Sequence, residues 1–287
     1  METYELRYFA AVAAAENIHR AADALAVSPG SLSKAVARLE AELGVKLFER
    51  VRRNIKLTSD GRTLQARAAT ILQLEEAARI ELQGGRAGFQ VRLVGPEILL
   101  AKMGPSLARE VSSRYPEARF NFQTCTEVAA ERAVANGEAS LGLTTGDAPA
   151  GLHIKRLFDV TFQTCVGRGH PLFKMAKAGK IVPVAEVLRH TFVCPDRPIM
   201  GLTSKRQSPD GWRDDKFPRR IKYVADSLQL VEELVVNGDA VAYLPDYYVA
   251  QISVAVLKIS GCPYACTQTA KLMARDLEQA VWLKWLF

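Results

Sequence analysis

Ser28-Pro29-Gly30-Ser31-Leu32-Ser33-Lys34-Ala35-Val36-Ala37-Arg38-Leu39-Glu40-Ala41-Glu42-Leu43-Gly44 is the stretch on which the fold turns. Serine before proline reads as an N-cap followed by the first helical position, where proline's fixed φ and missing donor cost nothing. Gly44 closes the segment as a natural residue just past a helix end. At about 100° per residue, Leu32, Val36, Leu39 and Leu43 share one side, while Ser31, Lys34 and Arg38 gather nearly opposite. One face is built to bury. The other presents hydroxyl, ammonium and guanidinium groups.

Upstream, Leu6, Phe9, Ala10 and Ala13 recur at helical spacing, and Asn17 offers a cap for a second helix through Arg20, Ala21, Ala22 and Leu25. Only Ala26 and Val27 separate that helix from the quoted one. Two helices joined by so short a turn, the second so divided, suit a helix-turn-helix that lays its second helix in the major groove. An ordinary surface helix of a bundle would show the same pattern. Downstream, residues 49–57 alternate around a basic tip containing Asn54, which predicts a hairpin whose Arg52 and Arg53 reach phosphates or a minor groove. Thr58 then caps a helix from 59 to about 83, about 37 Å long. Leu64, Ala68, Ile71, Glu75, Ala78 and Leu82 repeat along it every three or four residues, a narrow seam of the kind that pairs helices between subunits.

Charge agrees with this reading. The 287 residues carry 38 basic and 31 acidic side chains, a formal net charge of +7. Between Ser28 and Arg67 there are nine basic residues against four acidic ones, so the excess is dense where the helix-turn-helix is expected. The chain is 48% hydrophobic and 24% charged, which argues against disorder and against a rod. Its apolar runs are short and interrupted, and Glu2, Glu5, Arg7 and Glu16 break the place where a secretory core would lie, so a cytoplasmic protein with no membrane contact is expected.

Residues 5–66 resemble the winged helix-turn-helix of LysR-type transcriptional regulators. The resemblance rests on E-L-R-Y-F-A-A-V-A, H-R-A-A-D-A-L-A-V-S, S-L-S-K-A-V-A-R-L-E-A-E-L-G-V-K-L-F-E-R and L-T-S-D-G-R, in that order and at these spacings. They cover about a fifth of the chain, and G-H-P-L and A-V-A-Y-L-P add short matches further on. One departure matters. The family often carries a glutamine just after the capping serine, facing DNA, where this chain has Pro29 and Gly30. By position, Ser28, Ser31, Ser33, Lys34, Arg38, Arg52 and Arg53 become the candidate DNA contacts. His19, where the family usually has a larger apolar or hydroxyl residue, reads as a packing variant.

The glycine cluster at 84–88 is the expected hinge. Beyond it, strands are predicted over 90–95, 119–124, 140–145, 160–167, 191–194, 221–225 and 240–244. Helices are predicted over 99–115, 127–136 and 227–237. Such succession predicts a mostly parallel α/β sheet with helices on both faces. The resulting division is a winged helix-turn-helix over 1–58, a linker helix and hinge over 59–88, and an α/β regulatory domain over 89–287. The resemblance implies a regulatory domain like periplasmic binding proteins, with subdomains near 89–160 plus 260–287 and 161–259 around a small-molecule cleft. It also implies a homodimer through the linker helix, joined into a homotetramer by the regulatory domains.

Ligands in such sheets bind beyond the carboxyl ends of strands. The candidate effector contacts are therefore Glu97, Thr126, Thr144, Thr145, Arg197 and Ser227, although Thr126 and Ser227 equally read as helix caps. Many members of the family bind small carboxylates, often with hydroxyl side chains after the first strand of this domain. Here that place holds Pro96 and Glu97, and a glutamate repels a carboxylate at close range. A carboxylate is thus expected toward Thr144, Thr145 and Arg197, leaving Glu97 for a donor or amine.

No cofactor or metal site is expected. Cys262 and Cys266 form a C-x-x-x-C pair without a nearby histidine, and the five cysteines read as idle thiols, with a redox switch as the alternative. His19, His153, His170 and His190 lie apart in the sequence, and no G-x-G-x-x-G, Walker loop, H-E-x-x-H or G-x-S-x-G occurs. A DNA-binding regulator modulated by a small effector is the expectation. A ligand-independent DNA binder and an α/β enzyme are the alternatives.

Overall fold

The computed structural model describes residues 1–51, 54–82, 88–147, 150–201, 207–275, 277 and 282–287. It opens with three helices, α1 (Thr3–Ala15), α2 (Ile18–Leu25) and α3 (Pro29–Leu43). A hairpin of β1 (Phe48–Val51) and β2 (Asn54–Leu57) follows, antiparallel with Phe48 opposite Leu57. The long helix α4 (Ser59–Leu82) comes next. The hinge expected after it lies, Gly88 apart, outside the described residues. Phe9, Leu6, Leu39, Leu47 and Ala68 form the small core that joins α1, α3, the hairpin and α4. Burying each of the larger of these side chains contributes about 1.5–3 kcal/mol.

Local chemistry sets the joints. The turn between α2 and α3 passes through Ala26 at φ 53°, a left-handed conformation that the Val27 N–H to Ala22 carbonyl bond of 3.0 Å helps to hold. Thr58 starts α4 by accepting from the Gly61 amide at 2.9 Å while donating to the Lys46 carbonyl at 2.7 Å. Gly61 is obligatory there, because a Cβ would stand 2.1 Å from the Leu47 carbonyl oxygen.

The second unit comprises β3 (Gln90–Gly95), α5 (Glu97–Arg114), β4 (Arg119–Thr124), α6 (Glu127–Ala135), β5 (Leu141–Thr144) and the long β6 (Leu152–Gly167). The chain continues through α7 (Phe173–Lys177), β7 (Ile181–Pro183), α8 (Val184–Val187), β8 (Thr191–Pro195), β9 (Arg220–Ala225) and α9 (Leu228–Val236). It closes with β10 (Ala242–Pro245), α10 (Asp246–Val249), β11 (Val254–Val256), β12 (Lys258–Ser260), β13 (Thr267–Arg275) and a 3-10 turn at Lys284–Leu286. The main sheet runs β10-β6-β13-β5-β3-β4, with β11 also on β6.

Two expectations are corrected here. The sheet is mixed rather than mostly parallel: β3 pairs parallel with β4 and β5, but β13 pairs antiparallel with both β5 and β6, and β10 and β11 pair antiparallel with β6. The strand expected over 160–167 begins eight residues earlier, at Leu152, because its first half pairs with β13, a strand absent from the sequence reading. No described helix is long and apolar enough to cross a membrane.

Helix α4 packs on the second unit of its own chain. The Arg275 guanidinium, at the end of β13, donates to Gln73 Oε1 at 2.9 Å and Thr70 Oγ1 at 3.4 Å on α4, and to the Ala135 carbonyl at 3.1 Å. Gln65 of α4 donates to Glu138 at 3.0 Å. Gly137 lets the two surfaces meet: a Cβ there would lie 2.3 Å from the Ala69 Cβ. Deeper in the second unit, the fully buried Arg219 side chain bonds Asp210 at 2.6 Å and Asp214 at 2.9 Å, with the Phe192 and Trp212 rings each 5.3 Å from it.

Candidate nucleic-acid interface and ligand cleft

Helix α3 buries Leu32, Ala35 and Leu39 and exposes Ser31, Ser33, Lys34 and Arg38, so the two-faced pattern is realised. Leu43 departs from it: it lies in the last turn, past the core, and is exposed. Ser28 caps the helix, its Oγ accepting from the Ser31 amide at 3.1 Å and lying 2.8 Å from Ser31 Oγ. Lys34 shares the exposed face with Ser31, while Ser33 is exposed on the other flank of the helix. Arg52 and Arg53 lie outside the described residues.

Arg38 is more constrained than its position in the sequence implies. Its Nε donates to Glu5 Oε1 at 2.5 Å and a terminal nitrogen to the Tyr4 hydroxyl, with the Tyr4 ring 5.7 Å away. The Arg38 side chain is 61% exposed and that of Glu5 1%. The Glu2 amide, bonding the other Glu5 oxygen at 2.9 Å, and Arg38 hold the Glu5 carboxyl below its ordinary range against the effect of burial. Sequence reasoning missed this pair. The signal was a glutamate three residues after Glu2, a capping-box spacing on a face otherwise apolar.

A cavity of about 160 Å³ opens beyond the ends of β3, β4, β8 and β9. Of the six candidate effector contacts, Glu97, Thr126, Arg197 and Ser227 line it, while Thr144 and Thr145 do not. Among the described residues Asp196 and Asp226 complete its charged lining, so three carboxylates stand beside one guanidinium, and Arg197 Nε lies 3.2 Å from Asp196. Thr126 and Ser227 act as caps, accepting from the Ala129 and Leu230 amides at 3.3 and 3.5 Å. Glu97 is the first residue of α5 rather than part of the preceding loop, where its charge complements the helix dipole.

Thr144 is buried, donating to Glu131 Oε1 at 3.3 Å and accepting from the Gly146 amide at 3.0 Å. The Thr145 amide donates to Glu127 Oε1 at 2.6 Å. Glu127 is itself buried, and burial pushes its carboxyl above the ordinary range. The histidines are not all apart in space: the His170 and His190 ring centroids are 4.7 Å from each other. All five cysteines are free thiols.

Residues 4–62 match the profile described as "Bacterial regulatory helix-turn-helix protein, lysR family", and residues 84–279 match the "LysR substrate binding domain". The chain belongs to the LysR family. It is a DNA-binding transcriptional regulator, not an enzyme. This LysR regulator is 28% identical over 252 residues to the transcriptional dual regulator GltC of Bacillus subtilis (strain 168), covering 86% of this chain and 81% of that one. It is 33% identical over 157 residues to the HTH-type transcriptional regulator BudR of Raoultella terrigena, a match spanning 55% of this chain and 51% of the relative. Among solved structures, a full-length OxyR point variant from Pseudomonas aeruginosa shares the fold at a TM-score of 0.70 and 21% identity, covering all of this chain and 92% of that one.

Proposed function

We propose that this regulator grips a roughly palindromic site with the exposed faces of two α3 helices, and that a positively charged small molecule in the cleft modulates that grip. Ser31, Ser33 and Lys34 face outward on α3 to meet base edges or phosphates, with Arg38 available on release from Glu5 and with Arg52 and Arg53 carried by the hairpin. Affinity then falls linearly with salt on logarithmic axes through counterion release. Titrating cognate and random DNA against salt tests this. A Lys34→Ala protein with an unchanged salt slope on both DNAs would remove Lys34 from the interface.

Pairing of subunits runs along α4. The expected seam is divided, because Leu64, Ile71 and Ala68 pack into the core of their own chain. Leu74 and Ala78 are exposed and Leu82 is 88% exposed, one face over two turns. That face supports dimer formation through α4, and a Leu74→Glu, Leu82→Glu protein should sediment as a monomer where the wild type is a dimer. A monomeric wild type at micromolar concentration would overturn the pairing. Exposed Phe122 and Val128 on one side, and Ile221, Val224 and Leu230 on the other, support regulatory domains joining dimers into a tetramer. The division at 58 and 88, the two subdomains and a cytoplasmic setting belong to the same reading.

The effector reading rests on the three carboxylates Glu97, Asp196 and Asp226 around a cavity whose one base among the described residues, Arg197, is already paired. Thr144 and Thr145 lie away from that cavity, so among its described lining residues acidic groups outnumber basic ones. An amine-bearing molecule fits this charge pattern. Calorimetry with amine- and carboxylate-bearing metabolites tests it: amines should bind, several-fold more weakly after Glu97→Gln, and preferential binding of carboxylates would reverse the assignment.

A further inference from the structure

Outside the cleft, one buried acid has an oxygen without a partner. Glu127 is 5% exposed, and its Oε1 accepts from the Thr145 amide at 2.6 Å and the Gly201 amide at 2.9 Å. Its Oε2 is buried with no hydrogen-bond partner among the described residues. Glu131 lies one turn further along α6, and like charges at that spacing repel. Among the described residues no lysine or arginine forms an ion pair with either glutamate, and Lys271, which approaches the same loop, is engaged by the Gly146 carbonyl at 2.8 Å and Asp147 at 3.1 Å.

The oxygens converge. Around the position a Cβ would take at Gly146, the three nearest heavy atoms beyond its chain neighbours are Glu131 Oε1 at 3.2 Å, Thr144 Oγ1 at 3.4 Å and Glu127 Oε2 at 3.8 Å. Two carboxylates and a hydroxyl with no nitrogen or sulfur among them are a hard donor set, suited to an ion that completes its shell with water. The two backbone amides on Glu127 Oε1 offset only part of the cost of burying its charge, and a cation at Oε2 would offset the rest.

We propose that Glu127, Glu131 and Thr144 form a site for a divalent cation of the Mg²⁺, Mn²⁺ or Ca²⁺ class. The ion neutralises the buried Glu127 and its half-buried neighbour Glu131 and, through Glu127 Oε1, fastens the end of β5 to Gly201. Ile199, two residues before Gly201, lines the effector cleft, so the ion stiffens one wall of that cleft. This site is separate from the amine assignment above and stands or falls without it.

The test uses the full chain, stripped with EDTA and titrated with CaCl₂, MnCl₂ or MgCl₂ by calorimetry and thermal unfolding. Few protein ligands imply weak binding, with Kd on the order of 0.1–1 mM. Saturable binding that raises the melting temperature, weakened at least roughly ten-fold by Glu131→Gln and unchanged by Glu110→Gln, supports the site. Mn²⁺ should also broaden the amide resonances of Gly146 and Gly201 first, a readout that needs no variant. Absence of saturable binding by all three ions, equal binding by Glu131→Gln, or Mn²⁺ broadening centred elsewhere would each overturn the proposal.

Discussion

Two arginines, one in each unit, hold carboxylates in opposite ways. Arg38 reaches from an exposed helix face to cover the buried Glu5, keeping 61% of its own side chain in solvent. Arg219 is wholly enclosed, bonded to Asp210 and Asp214 and flanked by two aromatic rings. Opening the first pair would strand one buried charge, Glu5, since the Arg38 guanidinium already stands largely in solvent. Opening the second would strand both Arg219 and Asp210 in a low-dielectric interior. The DNA-binding unit thus keeps its cation exposed, and the regulatory unit uses buried charge to fix the segment between β8 and β9.

The largest expected effect breaks the enclosed side. Arg219→Met leaves Asp210 and Asp214 without their cation and should cost about 3–5 kcal/mol of unfolding free energy. Urea denaturation measures it, and a loss below about 1 kcal/mol would mean the pair opens as easily as a surface pair. The next prediction concerns the exposed side. Arg38→Ala should weaken cognate DNA binding about ten-fold, whereas Glu5→Gln, which frees the guanidinium, should leave binding unchanged or tighten it. Weakening by both substitutions would show that Arg38 serves DNA only while anchored.

How far this contrast could be read in advance depends on distance along the chain. The two faces of α3, its serine cap and its glycine stop are local, and a period of 3.6 residues displays them directly. The Arg38–Glu5 pair spans 33 positions and leaves no periodic trace. Strand ends near Glu97, Thr126, Arg197 and Ser227 were legible, three of them because helices start there, with hydroxyl caps at Thr126 and Ser227. Strand β13 was not: from Leu272 to Arg275 every residue is buried, so the alternation that marks a half-exposed strand is missing. Thr144 and Thr145 sit at a strand end as expected, but the half-buried Glu131 and the buried Glu127 of α6 claim them, a tertiary contact that no spacing announces.

A third, smaller effect sharpens the comparison through pH. Burial first, and neighbouring His190 second, bring the His170 pKa down to about 4 from an ordinary 6.5. The unfolded chain therefore binds the extra proton between those values. Stability from this group is complete above about pH 6.5 and declines as pH falls toward 4. Denaturation midpoints measured across that range should slope for the wild type and flatten for His170→Gln. Equal slopes would assign the acid sensitivity to other groups. The smallest expected effect on the fold is at the cleft rim: Glu97→Asn should shift the melting temperature by no more than about 2 °C, since one exposed charge at a helix start contributes about 0.3–1 kcal/mol, and a larger drop would show that Glu97 holds structure rather than ligand.

Gly137 carries a consequence that reaches beyond one molecule. Its φ of 71° and the 2.3 Å separation between its would-be Cβ and Ala69 mean that the linker helix rests on the regulatory unit only because a side chain is missing. A change from glycine to alanine requires a single nucleotide. It would leave both units' own cores and the α3 surface untouched while wedging apart the faces that Arg275 and Gln65 tie together. Loss of the seat between α4 and the second unit therefore lies one mutational step away, at a position remote from both the α3 surface and the cleft.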